Sequence, residues 1–457
     1  MDATENKNEL LLREGTYTSL LINLCLPAIV IMVVMVLYNM ADIFFIGRLG
    51  DPYMIAAVGL AGPVFSVLSG LGTLFGSGGC TVISLALGGG NHEKAGKVSA
   101  FCFYSSLLLG LAFTGAAFLF MDPLCAFLGT DETTLAFTRD YLGVFICFAP
   151  ISIFSGVFLN LIRADGAAKE SMIANLAGTF TNILLDPVFI LLFHWGVKGA
   201  ALATGIGNLV SAVIILSVLL RNGSPYSIRI KDALPGLSTA AQIFALGLPM
   251  SFSAILMSFS QTLSNSLLAG HDPIALAAQG IAGKIGMLNS MIAMGICIGM
   301  QPAISYSFAS GNRERTADIL KKTALTTVVA GLFISVISFI FRDAVLSAFI
   351  KDDRVLSIGR TALMASIAAG PVYGIYQTAV TWFQSTGRAG CATFCSVLNK
   401  GLIYVPALYL LNSIFGMYGI LFTGMTTDLL SLCAAVLMVL HVLGREAAIP
   451  NVLPARA

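Results

Sequence analysis

The sequence predicts an all-α polytopic membrane protein: twelve transmembrane helices in two six-helix bundles, related by a pseudo-two-fold axis along the membrane normal. Three observations carry this expectation: the composition, a regular succession of apolar runs, and an internal repeat. Of 457 residues, 57% are hydrophobic and only 11% are charged, and the mean hydropathy is +0.89. A soluble domain would carry about 25% charged residues. The formal net charge of +2 says little about partners, because the placement of basic residues matters more than their sum.

The chain opens with "MDATENKNELLLREG", polar and mixed in charge. It lacks the basic stretch and short apolar core of a cleavable signal peptide, so the first span is expected to direct insertion. A bilayer crossing needs about 20 apolar residues. Such segments lie near 18–46, 53–86, 97–121, 135–161, 171–194 and 197–220. A second set follows near 239–268, 274–308, 317–341, 357–383, 389–412 and 416–443. These boundaries define a first six-helix lobe (1–220), a cytoplasmic linker (221–238), a second lobe (239–445) and a cytoplasmic tail (446–457).

Basic residues set the orientation. With the N-terminus inside, the inner loops hold Lys94, Lys97, Arg163, Lys169, Arg221, Arg229, Lys231, Arg313, Arg315, Lys321, Lys322 and Arg388. The outer loops hold Arg48, Lys198, Lys351 and Arg354. The bias places both termini in the cytoplasm.

The halves repeat one another. "GDPYMIAAVGLAG" (50–62) returns as "HDPIALAAQGIAG" (271–283), and Gly90-Asn91 returns as Gly311-Asn312, 221 positions later. "HWGVKGA" (194–200) returns as "IFGMYGI" (414–420). Six spans per half is an even number, so both halves enter the membrane with the same topology, as in many secondary transporters.

Few polar side chains lie deep in the first half, and they fall in register. Tyr38 and Asp42, Asn182 and Asp186, and Thr204 and Asn208 are each four residues apart, so each pair shares one helix face. An ionised Asp in hydrocarbon costs at least a few kcal/mol, which argues that Asp42 and Asp186 are kept for a purpose. Nearby carboxylates do not both ionise cheaply, so a shared proton, or a small hard cation in its place, suits such a site. For Thr204 and Asn208, hydrogen bonding between helices is an equal alternative.

The second half departs from this pattern. The repeat sets Ser264 against Asp42, and "GLIYVPA" faces "TNILLDP" without a carboxylate. It carries Lys284, Lys400 and Asp428 instead, the last aligned with Asn208. Either lysine could pair with Asp428 or snorkel to an interface.

Several function classes find no support. The glycine-rich "SGLGTLFGSGG" (69–79) lies inside a span, which favours close helix packing over nucleotide binding. There is no Walker lysine and no His-Glu-x-x-His, so neither an ATP-driven pump nor a zinc protease is expected. The nine cysteines are dispersed, without Cys-x-x-Cys, and read as small buried residues. Nothing points to an enzyme, a bound cofactor or nucleic acid.

Taken together, "LPAIVIMVVMVLYNMADIFFIGRLGD" at the first span, "NILLDPVFI" at the fifth and "GMQPAISYSFASGN" at the eighth resemble the multidrug and toxic compound extrusion (MATE) family. The likeness covers nearly the whole chain and is strongest to the branch of DinF proteins and MepA-type exporters. It implies a plasma-membrane exporter of amphipathic, often cationic compounds, driven by H⁺ or Na⁺ antiport, with a monomer expected. It further implies that Asp42, Asn182, Asp186 and Thr204 take the proton or Na⁺. Tyr38 and Asn208 would line the substrate cavity, and Pro27 would be a hinge in the first span. The NorM branch uses C-terminal acids, including a glutamate on the seventh span, but "PMSFSAILMSFSQ" (249–261) has none. A lipid-linked precursor flippase and an uncoupled channel are the rival readings.

Overall fold

The structure is a computed structural model that describes residues 7–47, 51–221, 224–349 and 353–448. Within these helices, the side chains of residues 36, 37 and 39–47, among a few others, lie outside the description. All regular structure among the described residues is helical, and no strand occurs. Among the described residues, eleven helices are long and apolar enough to cross a membrane. A bent pair makes a twelfth span, so all twelve expected crossings have a counterpart.

The helices run in order from a short surface helix α1 (Lys7–Glu14). The first span follows as α2 (Tyr17–Leu20), a π turn (Leu21–Cys25) and α3 (Leu26–Gly47). Then come α4 (Pro52–Leu60), α5 (Gly62–Gly88), α6 (His92–Leu119), α7 (Met121–Phe127), α8 (Leu135–Cys147) and α9 (Ala149–Leu161). The fifth and sixth spans are α10 (Ala168–Pro187), continued by a π turn (Val188–Leu192), and α11 (Gly196–Leu219). The second half comprises α12 (Leu237–His271), α13 (Pro273–Ala309), α14 (Arg313–Ile340), α15 (Arg342–Phe349) and α16 (Asp353–Ser385). It ends with α17 (Ala389–Val397), a third π turn (Leu398–Leu402), α18 (Tyr404–Phe415) and α19 (Met417–Ala448).

The chain divides by packing into two compact units. The first holds Met1–Ser251, Ile298–Ile319 and Ser385–Gly387; the second holds Phe252–Cys297, Leu320–Gln384 and Arg388–Ala457. Packing therefore groups the linker, the start of α12 and the end of α13 with the first six spans.

Proline chemistry shapes the fourth span. Its halves α8 and α9 meet at 57°. Pro150, in the first turn of α9, has no N–H for the carbonyl of Ile146. Thr114 of α6 donates its Oγ1–H to that carbonyl instead, at 2.9 Å. Gly110, one turn earlier on α6, admits the proline, since an added Cβ would lie 2.3 Å from Pro150 Cα. The second unit repeats this device with the same offset of 221. Ser335 Oγ donates to the carbonyl of Ile367 at 2.6 Å, which Pro371 leaves without its helical donor. A Cβ on Gly331 would meet Pro371 Cα at 3.1 Å. In hydrocarbon a freed carbonyl is expensive, and neighbouring hydroxyls are the usual remedy.

The loop signals recur too. Asp51 Oδ1 accepts from the N–H of Tyr53, and Asp272 Oδ1 from that of Ile274, both at 2.9 Å. Asn91 Oδ1 accepts from Lys94 and Asn312 Oδ1 from Arg315, again both at 2.9 Å. Each is a side-chain N-cap that satisfies an otherwise orphaned helix donor. The repeated motifs are thus helix starts.

The glycine-rich stretch in α5 is a packing surface, as expected. A Cβ on Gly76 would lie 2.7 Å from the Val157 carbonyl oxygen, and one on Gly78 only 2.0 Å from that of Ile243. The N-terminal helix is also tied down within the first unit. Arg315 donates through Nη2 to the carbonyls of Leu12 and Gly15, at 3.0 and 2.8 Å, and so closes the C-terminal end of α1.

Candidate functional site

Three of the residues expected to take the ion, Asn182, Asp186 and Thr204, lie where α10 crosses α11, within the first unit. The crossing is close because two glycines face each other. A Cβ on Gly178 would lie 2.5 Å from the Gly207 carbonyl oxygen, and one on Gly207 would lie 2.6 Å from that of Gly178. One turn beyond this contact, Asn182 reaches across to α11 and donates Nδ2–H to Thr204 Oγ1 at 3.3 Å. Thr204 passes its own proton back along its helix to the Ala200 carbonyl at 3.1 Å.

Burial sharpens the picture. Asn182 is 3% exposed, Thr204 9% and Asp186 0%. With its amide donor spent on Thr204, Asn182 keeps Oδ1 as a buried acceptor that has no hydrogen-bond partner among the described residues. Asp186 follows one helical turn later on the same face. An orphaned amide oxygen beside a threonine oxygen and a carboxylate is an all-oxygen donor set. It fits a proton or a small hard cation such as Na⁺.

Asp42 lies on α3, which packs directly against α10. Its side chain is outside the described residues, so its approach to Asp186 is not part of the geometry. Tyr38, on the same helix, is half-buried.

Asn208 separates from this group. Its Nδ2 donates to Ser152 Oγ at 2.9 Å, while Ser155 Oγ donates to its carbonyl at 3.0 Å. Both partners lie on α9. The stripe of Thr204 and Asn208 therefore serves two neighbours: one end meets α10, the other fastens α9.

The first span is irregular one turn before Pro27. The π turn over Leu21–Cys25 widens the helix where the proline ring would collide with the carbonyl of Asn23. The backbone of α13 lies against this turn, since a Cβ on Gly299 would meet Cys25 Cα at 2.6 Å. A second π turn, Val188–Leu192, follows Pro187 directly after Asp186. The sequence reading did not anticipate these turns, although the adjoining prolines were their visible signal.

The reading also missed a buried polar knot at the loop after α9. Arg163 is 6% exposed and Asp165 4%, although the former falls among the inner-loop basic residues of the sequence. Arg163 Nη2 donates to Asn160 Oδ1, and Tyr226 Oη donates to Asp165 Oδ1 at 2.9 Å. Burial pushes the Asp165 carboxyl up to about 6, against the partial relief of that tyrosine bond. A cavity of about 490 Å³ opens beside the linker, lined by His92, Tyr226, Arg229 and Asp232 among others, away from Asp186 and its neighbours.

The MatE family model matches residues 27–188 and again 249–410, one copy in each half of the sequence. The chain is 34% identical to the Multidrug export protein MepA of Staphylococcus aureus strain MRSA252, over 92% of both proteins. It superposes on an outward-facing multidrug resistance MATE family transporter with a TM-score of 0.88, at 24% identity, covering 95% of this chain and 97% of that one. A MATE protein solved in a bent conformation gives the same TM-score over 97% and 99%. With a doubled family match over most of its length and full-length relatives above 30% identity, the chain belongs to the MATE family of transporters.

Proposed function

We propose that the protein is a secondary active exporter of amphipathic, often cationic compounds, and that Asp42, Asn182, Asp186 and Thr204 bind the H⁺ or Na⁺ that drives it. The observation that carries this reading is the buried Asn182–Thr204 bond, which leaves an amide oxygen without a hydrogen-bond partner among the described residues, one turn from a fully buried Asp186. Such groups are costly to retain in a span without use. The S. aureus relatives are named multidrug exporters, which supports the substrate side. The basic-residue bias supports a plasma-membrane protein with both termini in the cytoplasm. It is expected to act as a monomer.

The chemistry is a competition of charges. From outside, the ion or proton neutralises the carboxylates of Asp42 and Asp186. Neutral groups are cheaper to enclose among apolar helices, and they no longer attract a cationic compound. The compound leaves outward, the loaded site turns inward, and the ion departs to the cytoplasm. The restored negative charge then favours the next cation. Tyr38 would contact the compound, and Asn208 would hold the cavity wall through Ser152. Pro27, beside its π turn, would let the first span bend as occupancy changes.

Proteoliposomes under separately imposed H⁺ and Na⁺ gradients test this. Wild type should move a cationic drug under at least one gradient. Asp42→Asn keeps shape and removes charge, and should abolish that flux with insertion unchanged. Pro27→Ala should slow turnover more than it weakens drug binding. Gradient-driven export at the normal rate by Asp42→Asn would sink the coupling role.

A further inference from the structure

Polar groups gather a second time inside the second unit, around the third π turn. On that turn Asn399 is 1% exposed and donates Nδ2–H to Asp428 Oδ1 of α19 at 3.0 Å. The other amide atom, Oδ1, is buried without a hydrogen-bond partner among the described residues, as are Thr427 Oγ1 and Ser431 Oγ on α19. The next residue, Lys400, holds its Nζ 5.3 Å from the centroid of the Tyr373 ring on α16. Its carbonyl accepts from Ser260 Oγ at 2.5 Å, which pins the turn to α12. All of these residues lie well inside spans.

Neither a structural lysine nor a snorkelling one accounts for this arrangement. A lysine near a span's centre is costly even on insertion scales. A snorkelling ammonium would run to the interface, whereas this one rests on an aromatic face within the cation–π range of about 6 Å. A ring face, a carboxylate and an orphaned amide oxygen together form the recognition set for an organic ammonium or phosphonium. A small hard ion would want oxygens on all sides. The π turn carries both Asn399 and Lys400, and such turns are frequent at functional sites.

We propose that Asp428, Asn399 and the Tyr373 ring form a binding site for an organic monocation, and that Lys400 is its built-in competitor. The lysine ammonium occupies the aromatic face while the site is empty, and Asn399 holds the carboxylate beside it. A substrate cation displaces it and takes both. Lys400 thereby keeps the second half electrically satisfied without a coupling ion, while the carboxylates of the first half use one. The proposal rests on the exporter reading for the class of ligand, but it concerns different residues.

The test is equilibrium binding of tetraphenylphosphonium to the full-length protein in nanodiscs, at fixed pH and sodium and without a gradient. Lys400→Met should bind the probe roughly 10-fold more tightly, because its rival is gone; no misfolding produces such a gain. Asp428→Asn and Tyr373→Leu should bind it roughly 10-fold more weakly, while Tyr373→Phe, which keeps the ring, should match wild type. Triphenylphosphine oxide, similar in bulk but neutral, should not respond to Lys400→Met. Equal or weaker phosphonium binding by Lys400→Met overturns the proposal and leaves the exporter reading standing. An absence of binding by every protein, wild type included, overturns both.

Discussion

Asp165 illustrates how far a single residue's role depends on its surroundings. In the sequence it is one more acid in a loop between two spans. In the fold it is buried under Tyr226, and burial raises its pKa to about 6, with Glu170 adding to the rise. The folded form therefore holds a proton that the unfolded chain releases near 3.8. Below that value Asp165 is protonated in both states and its burial costs no charge; stability falls as pH rises through about 6 and then levels off. Asp165→Asn should remove this decline, so that the variant gains on wild type by up to roughly 3 kcal/mol above pH 6. Thermal unfolding in detergent from pH 4 to 8 would show it, and parallel curves for the two proteins would refute it. The buried site residues were more legible. Asn182, Asp186 and Thr204 were visible because amides and carboxylates are rare in apolar runs. That Asn208 turns to α9 was not visible, because periodicity gives a face and not the neighbour it meets.

Elements are joined by backbone contact that polar patterning does not register. The crossing of α10 and α11 depends on Gly178 and Gly207, whose added Cβ atoms would each meet the opposite carbonyl. Gly207→Ala should push the helices apart, lengthen the Asn182–Thr204 bond from 3.3 Å, and cost about 1–3 kcal/mol from overpacking. The checks are the unfolding midpoint and the ion-dependent stabilisation, both expected to fall; an unchanged pair of values would show that the crossing yields easily. The bent fourth span teaches the same lesson. Pro150 and Pro371 are visible in the sequence as missing backbone donors, but the hydroxyls of Thr114 and Ser335 that take their place come from other spans.

For the whole molecule, antiport requires that drug and ion do not travel together. Their binding should be mutually antagonistic and reciprocal, with a coupling of about 1–3 kcal/mol, or roughly 5- to 150-fold in affinity. Titrating a cationic drug at several pH values and sodium concentrations measures it. Wild type should bind drug more weakly as the coupling ion rises, and Asp42→Asn should lose that dependence. Drug affinity indifferent to both ions would remove the carboxylates of the first half from the coupling.

The sequence by itself determined the class of protein, the twelve crossings, the duplication and the stripe of deep polar groups. Each is written in local hydrophobicity or in a fixed spacing, and water and lipid enforce both without reference to distant residues. Only the tertiary structure decided which polar groups meet: Asn182 with Thr204, Asn208 with Ser152, Asn399 with Asp428, Lys400 with the Tyr373 ring. It also decided where helices widen into π turns and that Arg163 and Asp165 are buried. These outcomes depend on which helices pack together and on how closely small residues let their backbones approach. That is settled by the sum of many contacts, and no single stretch of the chain encodes it.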